Sequence, residues 1–182
     1  MSLATYIIND KKEQEMSYTF DEHRYNFAVW TAARAIQRGL NNASSANISK
    51  LFKKLKIVDK IKPDSIENAN DFDTFHKEFC KNLIVEANKL GLELSYGRAS
   101  KLLAIFIKTY YVLPGNGKGN ISKFAHPPID NILLEKSKKV HSIRPIPKWT
   151  LMGEDEYFNV INEFRKLNLD SFWMLEKYWN VT

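Results

Sequence analysis

Ser95-Tyr-Gly-Arg-Ala-Ser-Lys-Leu-Leu-Ala-Ile-Phe-Ile-Lys-Thr-Tyr-Tyr-Val-Leu113 is the stretch whose reading decides the fold. It reads as one long helix, apolar on nearly every side from Leu102 to Ile107, as a helix buried inside a bundle is. A glycine-rich basic loop follows, Pro114-Gly-Asn-Gly-Lys118-Gly-Asn120, and then His126-Pro-Pro-Ile-Asp130, which opens another helix. The central helix nevertheless carries Arg98, Lys101 and Lys108. Lys101 and Lys108 lie two turns apart and project to the same side. Arg98 sits near the helix N-terminus, whose positive end and free N–H groups favour an anion.

Outward from this stretch the chain keeps to helical periods. Thr19-Phe-Asp-Glu22 has the spacing of a capping box. It predicts a helix through Ala28, Val29, Ala32, Ala33 and Ile36 that stops near Gly39. The next predicted helix sets Ile48, Leu51, Phe52 and Leu55 on one face and Lys50, Lys53, Lys54 and Lys56 on the other, and Pro63 closes it. A third runs from Phe72 through Phe75, Phe79, Leu83, Ala87 and Leu90 to Gly91. Two more are expected over 154–167 and 171–179, after an extended linker at 142–149 whose prolines exclude helix. The expectation is an all-α protein: a polar arm over 1–17, then a single domain of about seven helices over 18–182.

Composition narrows the function classes. With 44% hydrophobic residues the chain has ample material for a core and is not a disordered tail. No run is long enough to span a membrane, and the start lacks a signal-peptide layout. The one cysteine, Cys80, lies among Phe75, Phe79 and Leu83 and reads as a buried, inert thiol. A cytoplasmic location without membrane contact is expected. Net charge is +6, unevenly spread: six lysines and one aspartate between Asn47 and Lys62, against six acids and three bases from Leu151 onward. A basic front and an acidic back suit a phosphate-bearing partner. Lysines outnumber arginines 21 to 6, so the charge is also compatible with ordinary solvated helix faces.

Three groups of residues offer chemistry. On the first helix His23, Phe27, Trp30 and Arg34 share a face, where Arg34 can lie over Trp30 and the set can grip a base or phosphate. The plainer reading makes Phe27 and Trp30 core, with Arg34 reaching past them to water. The second group is Arg98, Lys101 and Lys108 around the central helix. The third is His126 and Asp130. With Pro128 as the first helical residue, Asp130 stands third, and the capping position falls on Pro127, which has no N–H to offer it. That leaves the carboxylate free for a ligand or a proton. The glycine loop with Lys118 lacks the Gly-Lys-Ser/Thr of a phosphate loop. No spacing matches a zinc or calcium site, and no serine or cysteine nucleophile motif occurs. No metal or cofactor is expected.

A turn ending in glycine, an apolar helix, then Pro-Ile-Asp at the mouth of another helix resembles the helix-hairpin-helix DNA glycosylases. The resemblance covers about residues 95–134. It implies an all-α fold, a hairpin at Ser95-Tyr96-Gly97-Arg98 whose N–H groups hold a DNA phosphate, and Asp130 as the catalytic acid. Ala99 occupies the place of the lysine nucleophile of bifunctional members, with Lys101 two residues on. The chain is also similar to small bacterial proteins that end in a Trp-containing helix. The expected function is nucleic-acid binding, with base excision through Asp130. Gly97, Arg98, Lys101, Lys108, Lys118, His126, Trp30 and Arg34 are the expected contacts. The alternative is a non-catalytic helical binding or interaction module.

Overall fold

Thr19 and Glu22 open the first helix as their spacing predicts. The Glu22 N–H donates to Thr19 Oγ1 at 3.2 Å while the Glu22 carboxylate accepts the Thr19 N–H at 2.8 Å. The computed structural model describes residues 18–62, 65–144 and 147–179. The arm expected over 1–17 lies outside these, as do Pro63 and part of the linker expected over 142–149. Among the described residues there is no strand, and the protein is all-α.

Among the described residues eight α-helices follow in chain order: α1 Phe20–Ile36, α2 Ser45–Lys54, α3 Ile57–Lys60, α4 Ala69–Asn88, α5 Tyr96–Ile107, α6 Gly119–Phe124, α7 Asn131–His141 and α8 Glu154–Arg165. A π-helical turn at Lys108–Val112 continues α5, and 3₁₀ turns stand at Trp149–Leu151 and Phe172–Tyr178. The π turn spans five residues with a wider hydrogen-bond spacing, the Leu113 N–H reaching back to Lys108 O, a departure often found at functional sites. α5 is the central element. Leu102, Leu103 and Phe106 are fully buried, and α1 lies along it more extensively than any other helix does.

Four sequence expectations change. The second helix breaks in two because Lys56 is left-handed at φ 51°, which ends α2 and lets Ile57 turn into the core. The glycine loop is shorter than expected, since Gly119–Phe124 forms α6. At Gly117, φ is +71° and an added Cβ would stand 3.0 Å from the Trp173 indole, so a side chain there would be strained by the backbone and crowded by the ring. The last helix is 3₁₀ rather than α.

The fourth change touches the candidate site. α7 starts at Asn131 rather than Pro128, with Asp130 itself as the capping residue. An aspartate supplies the side-chain acceptor that a helix start needs, and Pro127 supplies none. Cys80 is buried, as expected, and burial pushes its thiol up. No helix among the described residues is long and apolar enough to cross a membrane.

Candidate functional site

The side chains brought together are Lys101 and Asp130, separated by 29 positions in sequence. Lys101 is only 9% exposed, and its Nζ donates to Asp130 Oδ2 at 3.1 Å. The same ammonium lies 4.4 Å from the centre of the Trp149 ring, a cation–π contact that holds the long side chain still. Asp130 divides its two oxygens. Oδ1 accepts the Leu133 N–H at 3.0 Å and caps α7, while Oδ2 faces the lysine. The aspartate is therefore both a helix cap and half of an ion pair. The partnerless carboxylate expected from a Pro127 cap is not what forms.

Two turns further on, at the start of the π turn that continues α5, Lys108 makes a second pair with Glu176 of the C-terminal 3₁₀ turn. Its Nζ is also 5.8 Å from the Trp179 ring. Both pairs line one cavity of about 220 Å³. Ala35 of α1, Ile105 of α5, Pro128, Leu133 of α7 and Leu175 supply its apolar wall, and Trp179 stands at its edge. Chain direction explains the convergence. α5 and its π-helical continuation present Lys101 and Lys108 to one side, and α7 and the C-terminal turn pack against each other on that side. His141 and Tyr178 join them through a 2.6 Å hydrogen bond. A cavity with an apolar wall, one indole and two lysine–carboxylate pairs can admit a flat apolar or aromatic group. It can also exchange a carboxylate for an incoming anion at either lysine.

The other expected contacts lie elsewhere. Gly97 offers no free N–H, because its nitrogen donates to Met152 O at 3.0 Å. A Cβ there would come within 2.0 Å of Trp149 O, so this glycine serves close packing of the Trp149 turn on α5. Arg98 closes the end of α1, donating to Ile36 O at 3.1 Å and to Arg38 O at 3.3 Å, carbonyls that the helix leaves unpaired. Trp30 and Arg34 are on the solvent face of α1, outside the cavity. Trp30 is half exposed rather than core, and Arg34 turns to Gln37 Oε1 instead of lying over the indole. Lys118 is exposed ahead of α6, also outside the cavity.

His126 is the clearest correction. It is 3% exposed and satisfied on both nitrogens, with Tyr157 Oη at 3.1 Å from Nδ1 and Asp73 Oδ1 at 2.9 Å from Nε2. Burial lowers its pKa against the opposing pull of Asp73, so the ring is neutral: Nε2–H donates to the carboxylate and Nδ1 accepts from the tyrosine. Arg165 donates to the same Asp73 oxygen at 2.7 Å. Burial alone would raise the pKa of Asp73, but the bonds from His126 and Arg165 bring it below its ordinary value. His76 stacks on Tyr157 at 4.9 Å and meets Tyr96 Oη at 3.1 Å. These residues form a polar seam in the core between α4 and α8, not a contact surface.

Sequence reading missed Glu176, Trp179 and Trp149. The acidic tail set against basic central residues is the signal that leads to Glu176; nothing local marks the two tryptophans. Among the described residues no cluster of three or more histidine, cysteine or acidic side chains can hold a metal ion. Comparison of the chain with protein-family models, with curated proteins and with solved structures gave no match.

Proposed function

We propose that this protein binds nucleic acid at the cleft between α5, the start of α7 and the C-terminal turn, and receives one extruded base in the cavity. The observation that carries the reading is the meeting of Lys101 and Asp130 in an apolar cavity edged by an indole. Trp179 stacks on the base, as extruded bases require. The exposed Lys136, Lys138 and Lys139 of α7 extend the positive surface beyond the rim. A backbone phosphate that draws Lys101 away frees Asp130 Oδ2. The carboxylate can then stabilise positive charge developing on the sugar, or take a proton from water.

The test is base release from a panel of damaged-base duplexes by the unmutated protein and by Asp130→Asn, beside binding titrations at several salt concentrations. Release that disappears in Asp130→Asn supports excision. Salt-dependent binding without release supports a second reading, a non-catalytic binding module. That reading is favoured by the capping duty of Asp130 and by the engaged N–H of Gly97. Absence of binding to duplex or single strands at low salt ends both.

A further inference from the structure

The C-terminal 3₁₀ turn at Phe172–Tyr178 sorts its side chains by threes. With three residues to a turn, side chains three apart stand one above another. Phe172, Leu175 and Tyr178 pack against the core, and Leu175 is buried. Trp173, Glu176 and Trp179 form the next row, with Trp179 as the residue that caps the turn. That row reads indole, carboxylate, indole. Trp179 edges the cavity that holds Lys101 and Asp130, Trp173 lines a second groove of about 510 Å³, and Glu176 with Lys108 lines both. The indoles are open to a ligand, Trp173 at 44% exposure and Trp179 at 53%. Val112, Leu113 and Met174 give the groove its apolar wall, and Lys108 and Lys177 set two ammonium groups there against the one carboxylate of Glu176.

The spacing of that row selects the ligand. At a rise of about 2.0 Å per residue, Trp173 and Trp179 stand about 12 Å apart along the turn. Successive bases stacked in a strand are only about 3.4 Å apart, so neighbours in a duplex cannot each reach a ring. Unstacked nucleotides of a single strand can, because their bases splay and stack on separate aromatic side chains. Resting on the nucleic-acid reading of the cavity, we infer that the groove is a second nucleotide subsite for single-stranded nucleic acid. One base lies on Trp179 in the cavity and its neighbour on Trp173 in the groove. The phosphate that joins them takes the place of Glu176 on Lys108, the cation shared by both hollows. Lys177 adds to the attraction for the strand.

The measurement is calorimetric titration of the full chain at low salt with thymidine 5′-monophosphate, the 5′-phosphorylated thymidine dinucleotide, and that dinucleotide with either base removed. The dinucleotide should bind at least ~10-fold more tightly than the mononucleotide, and loss of either base should cancel the gain. In Trp173→Ala the ratio of the two affinities should fall to near one. Trp173→Phe keeps a ring to stack on and should retain most of the gain, with melting curves showing that both variants are folded. A dinucleotide that binds no better than the mononucleotide overturns the inference. So does an equal loss in Trp173→Phe and Trp173→Ala, or tighter binding of a short duplex than of its separate strands. Binding that needs Trp179 but is indifferent to Trp173 overturns the second subsite alone and leaves the cavity as a nucleotide site. No binding of any of these probes or of longer single strands overturns the subsite together with the reading on which it rests.

Discussion

Lys108 and Glu176 stand on the wall shared by two cavities. The pair lines both the cavity of about 220 Å³ and a neighbouring groove of about 510 Å³ that runs past Val112 and Gly117 to Trp173. Glu176 therefore occupies the place where an anion bound to Lys108 would sit, and it ties the C-terminal turn to the π-helical end of α5. Glu176→Gln should increase affinity for single-stranded DNA at low salt, since Lys108 loses a competing carboxylate. Stability should fall by about 1 kcal/mol, the upper range for a pair that keeps some contact with water. Binding isotherms at two salt concentrations and a melting curve check both. Unchanged affinity with the same loss of stability would leave the pair a structural tie only.

Asp130 has two duties that substitution can separate. Asparagine caps a helix about as well as aspartate, so Asp130→Asn should preserve the start of α7. It should still cost about 2 kcal/mol, more than a lost dipole interaction, because Lys101 remains nearly buried beside a neutral amide. Asp130→Ala should cost about 1 kcal/mol more through the missing cap. Chemical denaturation of the three proteins gives the comparison. Equal stability of Asp130→Asn and the unmutated protein would show that Lys101 has another partner to turn to.

The parts of the fold legible in the sequence are those set by local periodicity and capping. Thr19 with Glu22, the Phe72 to Ala87 repeat and the apolar run after Leu102 each specify their helices through neighbours three or four residues away. The site was legible only in part. Lys101, Lys108 and Asp130 stand out because they are charged groups near apolar helix, and the structure joins them in one cavity. Arg98 and His126 looked equally chemical, yet their partners are remote: Ile36 lies 62 positions before Arg98, and Asp73 lies 53 before His126. Whether a polar side chain is consumed by the core depends on such distant pairings, which no short-range pattern contains. The π turn and the 3₁₀ tail escape for a different reason, because they share the apolar periodicity of α-helix over a few residues.

Gly97 distinguishes packing from phosphate recognition. Gly97→Ala should destabilise the protein by about 3 kcal/mol, because the methyl group meets the Trp149 carbonyl and the 3₁₀ turn must shift away. At a temperature where the variant is folded, nucleic-acid affinity should change little, since this N–H is spent on Met152. Melting curves and binding titrations on the same preparation test it. A large loss of affinity with an unchanged melting temperature would restore the phosphate-binding hairpin.

Acid should weaken the fold well above the carboxylate range. Burial holds His76 well below its ordinary value near 6.5, with further repulsion from His126 and Lys77. Burial lowers His126 as well, partly offset by the bond and charge of Asp73 and reinforced by Arg165. Both histidines stay neutral in the folded protein while the unfolded chain takes up protons at about 6.5, so the unfolded state binds more protons as pH falls. Their full contribution is present above about pH 6.5 and is lost as pH drops toward the depressed folded values. The slope approaches about 1.4 kcal/mol per pH unit for each histidine. Asp73 acts in a separate window, since its value is held below an ordinary 3.8 and its contribution is lost only beneath that. Urea midpoints measured between pH 8 and pH 5 should therefore fall steadily from about 6.5 downward. His76→Gln keeps a hydrogen-bonding partner for Tyr96 Oη and removes one titration, so its slope should be about half that of the unmutated protein. A midpoint that stays level across this range would mean that the seam between α4 and α8 accepts a proton without opening.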